Sequence, residues 1–241
     1  MAAEHEVPGA PPLRAIREMW LTEVLGRLED DPSVAAAGFV GSLGRGTEDD
    51  WSDVDLMIVV PDDRVSAFVD AERLPGSAWL AAQLDARHNA PRGAGAIAAQ
   101  YVVDGLPLLV DWYVYPLSRA FWPADARTVF DRADLPRITD SFDQHLAGRE
   151  VQPPTPKPPG AHRLLQVMLV PVAAKRIARR SRDTARMVEF VGGPYDEDAS
   201  PAERLEHLRI VLTERSGEAP QRSVDAASAY LDLVAERVGE E

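Results

Sequence analysis

Between Gly38 and Val60 the chain reads GFVGSLGRGTEDDWSDVDLMIVV: a small apolar run stops at Gly-Ser, a polar loop crosses, and two aspartates one residue apart open a second apolar run. The run from Val54 to Val60 is seven residues with one charge. It is too short for a buried helix and reads as a strand covered on both faces, with residues 34–40 as the strand before it, ending at Gly41-Ser42. Strand side chains alternate, so Asp53 and Asp55 share one face while Val54 and Leu56 point into the core. Two carboxylates so close repel unless a cation lies between them, and hard oxygen donors at this spacing suit Mg²⁺. The other reading is two solvated acids flanking a strand end.

The turn before them adds to the first reading. Gly41 lets backbone approach a ligand closely, and Ser42 offers a hydroxyl and an amide to a phosphate oxygen. A strand that turns into a helix also leaves N–H groups free, which favours anions. A phosphate cradle and a carboxylate pair separated by one loop make a combined site for Mg²⁺-nucleotide chemistry. In that loop Arg45 either touches the triphosphate or pairs with Glu48, Asp49 or Asp50.

The segment GSLGRGTEDDWSDVDL resembles the signature of the polymerase-beta-type nucleotidyltransferase superfamily, in the branch that holds aminoglycoside nucleotidyltransferases and stand-alone nucleotidyltransferase domains. The resemblance covers about a tenth of the chain. It implies an α+β fold, a mixed sheet with flanking helices followed by a C-terminal helical domain. It also implies a third carboxylate from a later strand. Asp111, in LPLLVDWYVY, is the acid inside a strongly apolar strand and matches that role; a charge there needs compensation, which a shared metal supplies. Tyr113 and Tyr115 share its face, and Trp112 takes the opposite one.

The remaining pattern supplies the frame. Ile16, Trp20, Val24 and Leu28 recur at helical spacing and predict a helix over residues 13–28. Helix signals return at 78–86, AIAAQYVVDGLPLLVDWYVYPL reads as two strands hinged at Asp104-Gly105, and a short strand is expected at 128–130. VQPPTPKPPG, residues 151–160, is too proline-dense for a helix interior or a central strand and reads as a linker. This divides the chain into a catalytic domain at 1–150 and a helical domain at 161–241, with helices at 162–190, 201–214 and 223–238. SPAER is a strong helix start, with Ser200 as cap and Glu203 three residues on.

In the first of these helices Lys175, Arg179, Arg182 and Arg186 are spaced to align on one face. That stripe either closes over a nucleotide triphosphate, with Lys175 first and Arg179 second, or is a solvated face that balances the acidic part. Glu189, near the end of the same helix, is a candidate general base.

Net charge is −13, and residues 1–150 hold 25 acids against 13 Lys and Arg. Such a field repels long nucleic acids and attracts cations. No apolar run reaches the roughly 20 residues of a membrane span, and the N-terminus lacks the pattern of a secretory signal, so a cytoplasmic protein is expected. With no cysteine there is no thiolate ligand or nucleophile, and the five histidines show no zinc spacing.

Taken together, the residues and the resemblance predict a nucleotidyltransferase carrying AMP from ATP, or the equivalent from another NTP, to a hydroxyl of a small-molecule acceptor, a cationic aminoglycoside among the candidates. Two Mg²⁺ ions would be held by Asp53, Asp55 and Asp111, and the nucleotide by Gly41, Ser42, Arg45, Lys175 and Arg179. Nucleotidylation of protein or tRNA, a non-catalytic nucleotide-binding module, and a toxin–antitoxin partner are the alternatives.

Overall fold

The structure, a computed structural model, describes residues 9–69, 74–150, 152 and 159–239. Its elements in chain order are α1 (Pro11–Asp30), β1 (Ala36–Phe39), α2 (Gly41–Arg45), β2 (Val54–Val60), α3 (Val65–Val69), β3 (Leu80–Asp85), β4 (Gly95–Val103), β5 (Leu106–Pro116), β6 (Arg127–Asp131), α4 (Phe142–Ala147), α5 (Ala161–Ala178), α6 (Thr184–Val191), α7 (Pro201–Arg215) and α8 (Gln221–Gly239). The strands form one sheet in the order β3-β4-β5-β2-β1-β6. β2 runs parallel to β5 and the other neighbours are antiparallel. The result is the mixed α+β sheet with flanking helices and a C-terminal helical region that the sequence predicts.

The apolar run of β2 is continuous because both of its faces are covered. Leu56, Ile58 and Val60 point to the side held by α1, while Met57 and Val59 point to the other. On the first side Trp20 of α1 packs edge-on to Tyr101 at 4.9 Å and to Trp112 at 5.8 Å between ring centres. Trp112 Nε1 donates to the Tyr101 hydroxyl at 3.2 Å, so this buried polar pair is satisfied. The same cluster continues through Val170 and Ala173 of α5, Leu208 of α7 and Leu231 of α8. The β4–β5 hairpin turns on Asp104 at φ 49° and Gly105 at φ 79°; two successive positive values are what a two-residue primed turn demands. At the start of α7 Ser200 and Glu203 form the reciprocal cap read from SPAER.

Two expectations are corrected. Residues 78–86 are not helical: Leu80–Asp85 is the edge strand β3, paired antiparallel with β4. The Ala-rich segment favours a helix locally, and the hydrogen-bonding edge offered by β4 outweighs that preference. The single helix expected over 162–190 is two helices, α5 and α6, because Arg180 takes φ 51°. The Arg179 and Ser181 amides then close the end of α5 onto the Lys175 and Arg176 carbonyls, each at 2.9 Å, in the manner of a left-handed helix stop. α4 is an element that the sequence patterns above do not predict, although its Ser141–Gln144 pair forms a full capping box. Val151 and residues 153–158 of the expected linker lie outside the described residues; Gln152 is tied down, its amide donating to the Pro91 carbonyl at 2.6 Å.

Candidate active site

The parallel pairing of β2 and β5 puts Asp55 in register with Asp111, so the two carboxylates stand side by side on one face. Val54, Leu56, Val110 and Trp112 take the opposite face and are buried. Burial, then the Asp111 charge and then that of Asp53 push the Asp55 carboxyl up to about 7, against a smaller pull from Lys175. Asp111 is pushed up to about 6, first by burial and then by Asp53. Asp111 itself is exposed to solvent.

Gly41 faces this pair at the start of α2. Its φ is 61°, and a Cβ there would run into the Asp55 carboxylate. Both the left-handed backbone and the close approach therefore need glycine. Gly41→Ala is expected to push α2 away from Asp55 and to lower turnover by at least about tenfold, the scale of a catalytic group displaced by roughly an ångström; wild-type turnover in a folded Gly41→Ala protein would show that the approach is dispensable.

The acids of the loop before β2 are each met by a group from elsewhere. Asp50 accepts from the Ala10 amide at 2.8 Å and from Arg14 Nε at 2.7 Å. Buried Arg17 of α1 donates to the Asp49 and Ser52 carbonyls at 2.8 and 2.9 Å. Arg179 Nε reaches Asp49 Oδ2 at 3.0 Å, and Arg179 also donates to Ser52 Oγ at 3.3 Å. Lys175 Nζ is hydrogen-bonded to Asp53 Oδ2, and Lys175 is only 8% exposed. The expected pairing of Arg45 with Glu48, Asp49 or Asp50 does not form. Its guanidinium instead lies 3.3 Å from Asp143 and 3.5 Å from Asp125.

Asp49, Ser52, Asp53, Lys175, Arg179, Arg45 and Asp143 line an open cleft of about 450 Å³. Of the residues singled out in the sequence, Gly41, Ser42, Arg45, Asp53, Asp55, Lys175 and Arg179 line it, and Asp111 adjoins it through its register with Asp55. Arg182, Arg186 and Glu189 do not join them: all three are exposed, because the break at Arg180 sends α6 in a new direction. The basic stripe is thus cut to Lys175 and Arg179, and Glu189 is corrected as a base candidate. Sequence reading missed the α4 wall of Phe142, Asp143 and Leu146; the Ser-x-x-Gln capping signature at Ser141 was the cue that could have found it.

The donor set bears on whether a divalent metal fits. Asp53, Asp55 and Asp111 are hard oxygen donors whose charges oppose one another, and Lys175 offsets them only in part. That chemistry suits a small hard cation. Lys175 holds Asp53, however, and among the described residues no three acid or histidine side chains are gathered tightly enough to grip one ion.

Residues 21–97 match the nucleotidyltransferase domain family. Over that third of the chain the protein is similar to nucleotidyltransferase domains. The matched span of that domain takes in the Gly41-Ser42 turn and both aspartates of β2, while Asp111 and Lys175 lie beyond it. The solved structure of a STING-associated CdnE c-di-GMP synthase from Capnocytophaga granulosa is similar over 96% of this chain and 82% of that one, with 12% identity and a TM-score of 0.31. No curated protein matches the chain. Among the described residues no helix is long and apolar enough to cross a membrane.

Proposed function

We propose that this protein transfers a nucleoside monophosphate, AMP from ATP in the simplest case, to a hydroxyl of a small-molecule acceptor in the cytoplasm, with residues 1–150 as the catalytic domain and 161–241 as the helical one. One observation carries the reading: Asp55 and Asp111 in register on neighbouring strands, with Asp53, Ser42 and Lys175 turned into the same cleft. Two Mg²⁺ ions held by Asp53, Asp55 and Asp111 would neutralise the phosphates and lower the pKa of the attacking hydroxyl.

The chain's own groups do the rest. Ser42 and the Gly41 backbone hold the triphosphate, and Arg45 guards the outer end of α2. The acceptor oxygen bonds to the α-phosphorus as the bond from that phosphorus to the β-bridging oxygen breaks. The hydroxyl proton passes to a carboxylate of the floor, for which the register of Asp111 beside Asp55 places it. Charge then gathers on the leaving pyrophosphate, where Lys175 and Arg179 supply fixed cations.

The test is pyrophosphate release from labelled ATP with Mg²⁺ across a panel of hydroxylated acceptors. Release that depends on one acceptor class supports the reading; label appearing on protein or tRNA would move the acceptor to a macromolecule, and nucleotide binding with no turnover on any acceptor would sink the enzyme. Lys175→Ala is expected to lower kcat/KM for the nucleotide about 10- to 100-fold, the scale of a hydrogen bond to a charged group. Unchanged kinetics at limiting ATP would return Lys175 to the role of a counter-ion for Asp53.

A further inference from the structure

Of the three carboxylates at the cleft, the sheet places two. The β2–β5 ladder begins where Val54 meets Val110 and takes in Asp55 beside Asp111, and the β1–β2 pairing reaches no further than Leu56. Asp53 stands one residue before the first of these pairs. Lys175 holds its side chain, and its backbone depends on the loop that leads into it.

That loop is a closed turn. The Ser52 amide donates to the Asp49 carbonyl at 3.2 Å, and Ser52 Oγ donates to Asp49 Oδ1 at 2.8 Å. Trp51 within it is buried and packs edge-on to Tyr230 of α8 at 5.9 Å between ring centres. Behind the turn lies Arg17 of α1, only 5% exposed. A single guanidinium nitrogen, Nη1, has two hydrogens to give and donates to the Asp49 carbonyl at 2.8 Å and the Ser52 carbonyl at 2.9 Å. Burial holds the Arg17 pKa below its ordinary value, and the charges of Glu48, Asp50 and Asp49 work the other way. A buried cation is thus spent on two main-chain oxygens.

The second of those oxygens matters most. The Ser52 carbonyl belongs to the peptide unit that ends at the Asp53 Cα, and such a unit is planar and stiff. A hydrogen bond to its oxygen therefore fixes the direction in which Asp53 leaves the turn.

We propose that Arg17 is the positioning residue for Asp53: by clamping the Asp49 and Ser52 carbonyls from the α1 side, it sets the Asp53 carboxylate where it can share a divalent cation with Asp55 and Asp111. This deepens the transfer reading and rests on it for any effect on turnover, whereas cation binding can be measured with no acceptor present.

The experiment titrates Mn²⁺ into the full chain with a non-hydrolysable ATP analogue present, and reads the loss of the free Mn²⁺ paramagnetic signal; kcat and nucleotide KM for pyrophosphate release are measured alongside. Arg17→Met keeps the aliphatic length and removes both donors. It is expected to weaken Mn²⁺ binding about tenfold or more and to lower kcat about 10- to 100-fold, the scale of a group displaced by roughly an ångström. Nucleotide KM should change far less, because Ser42, Lys175 and Arg179 remain. Arg17→Lys returns the charge and a donor and should recover part of both losses. Val24→Ala separates positioning from plain stability: it opens a cavity at a fully buried site of the same helix, and should lower Tm while leaving Mn²⁺ binding and kcat at wild-type values. If Arg17→Met does not fold, Arg17→Gln, whose shorter side chain cannot reach both carbonyls, takes its place with the same expectation.

The inference is overturned if the wild type binds no Mn²⁺, if the folded Arg17 variant binds Mn²⁺ and turns over as the wild type does, or if Val24→Ala loses as much of either. Arg17-dependent Mn²⁺ binding without pyrophosphate release on any acceptor would uphold the positioning role and bring down the transfer reading, so the two fail separately.

Discussion

On the transfer reading, Asp55→Asn is expected to lower pyrophosphate release at least about 100-fold, because metal-assisted charge stabilisation is worth several kcal/mol and each 1.36 kcal/mol is tenfold in rate. The same change makes the metal-free protein more stable at pH 8. The Asp55 and Asp111 carboxyls are held above the ordinary value, at about 7 and about 6, first by burial, then at Asp55 by the charges of Asp111 and Asp53 and at Asp111 by that of Asp53. A raised acid favours the folded state fully below its unfolded pKa, and that contribution is lost as pH rises through the folded value. Stability of the wild-type apoprotein should therefore fall between roughly pH 4, near the unfolded carboxyl value, and pH 8. Asp55→Asn should flatten that slope. Thermal melts in EDTA across this range, paired with turnover in Mg²⁺, check both halves; equal slopes for the two proteins would show that the pair is not under electrostatic pressure.

Trp112→Ala costs about 3–5 kcal/mol, the usual range for removing a large buried aromatic. Trp112 is fully buried, packs against Trp20 and donates to the Tyr101 hydroxyl. Removing it leaves a cavity between α1 and the sheet and takes away the donor to that hydroxyl, which keeps its own bond to the Pro75 carbonyl at 3.2 Å. For a chain of 241 residues, each kcal/mol moves Tm by about 2–4 °C, so a drop on the order of 10 °C is expected. Trp112→Phe keeps most of the volume and loses the hydrogen bond, and should cost far less. Denaturant titration reads both: the midpoint should shift with the slope unchanged, and an alanine variant as stable as wild type would mean that the cluster does not hold α1 in place.

The legible parts of this protein were those where local chemistry and tertiary demand agree. β2 could be read because a strand covered on both faces needs an unbroken apolar run, and the β4–β5 hairpin because Asp-Gly meets the positive φ of its turn. The start of α7 was legible through Ser200 and Glu203. β3 was not, since its alanines favour a helix and only the edge of β4, more than ten residues on, makes it a strand. The stop after α5 was hidden for a different reason. ARRSRD contains no glycine or proline, and Arg180 takes the left-handed conformation that sequence patterns assign to other residues.

At the site, Asp53, Asp55 and the Gly41-Ser42 turn carry a local signature. Asp111 was found by its apolar flanks, and Lys175 by helical spacing that holds only as far as Arg179. Asp143 escaped because α4 is a single capped turn and a half, too short for periodicity to register, and because its relation to Arg45 spans 98 residues.

β2 and β5 are the two middle strands of the sheet, and Asp55 meets its partner on β5 across a parallel pairing. Parallel neighbours cannot be joined by a tight turn, so the intervening chain, which forms β3 and β4, must first loop out and return. Closing so long an excursion is slow and is repaid only when the centre of the sheet assembles. The two like charges therefore meet only across a long excursion of chain, and a truncated chain ending before β5 would keep the recognisable motif while lacking half of the acidic floor.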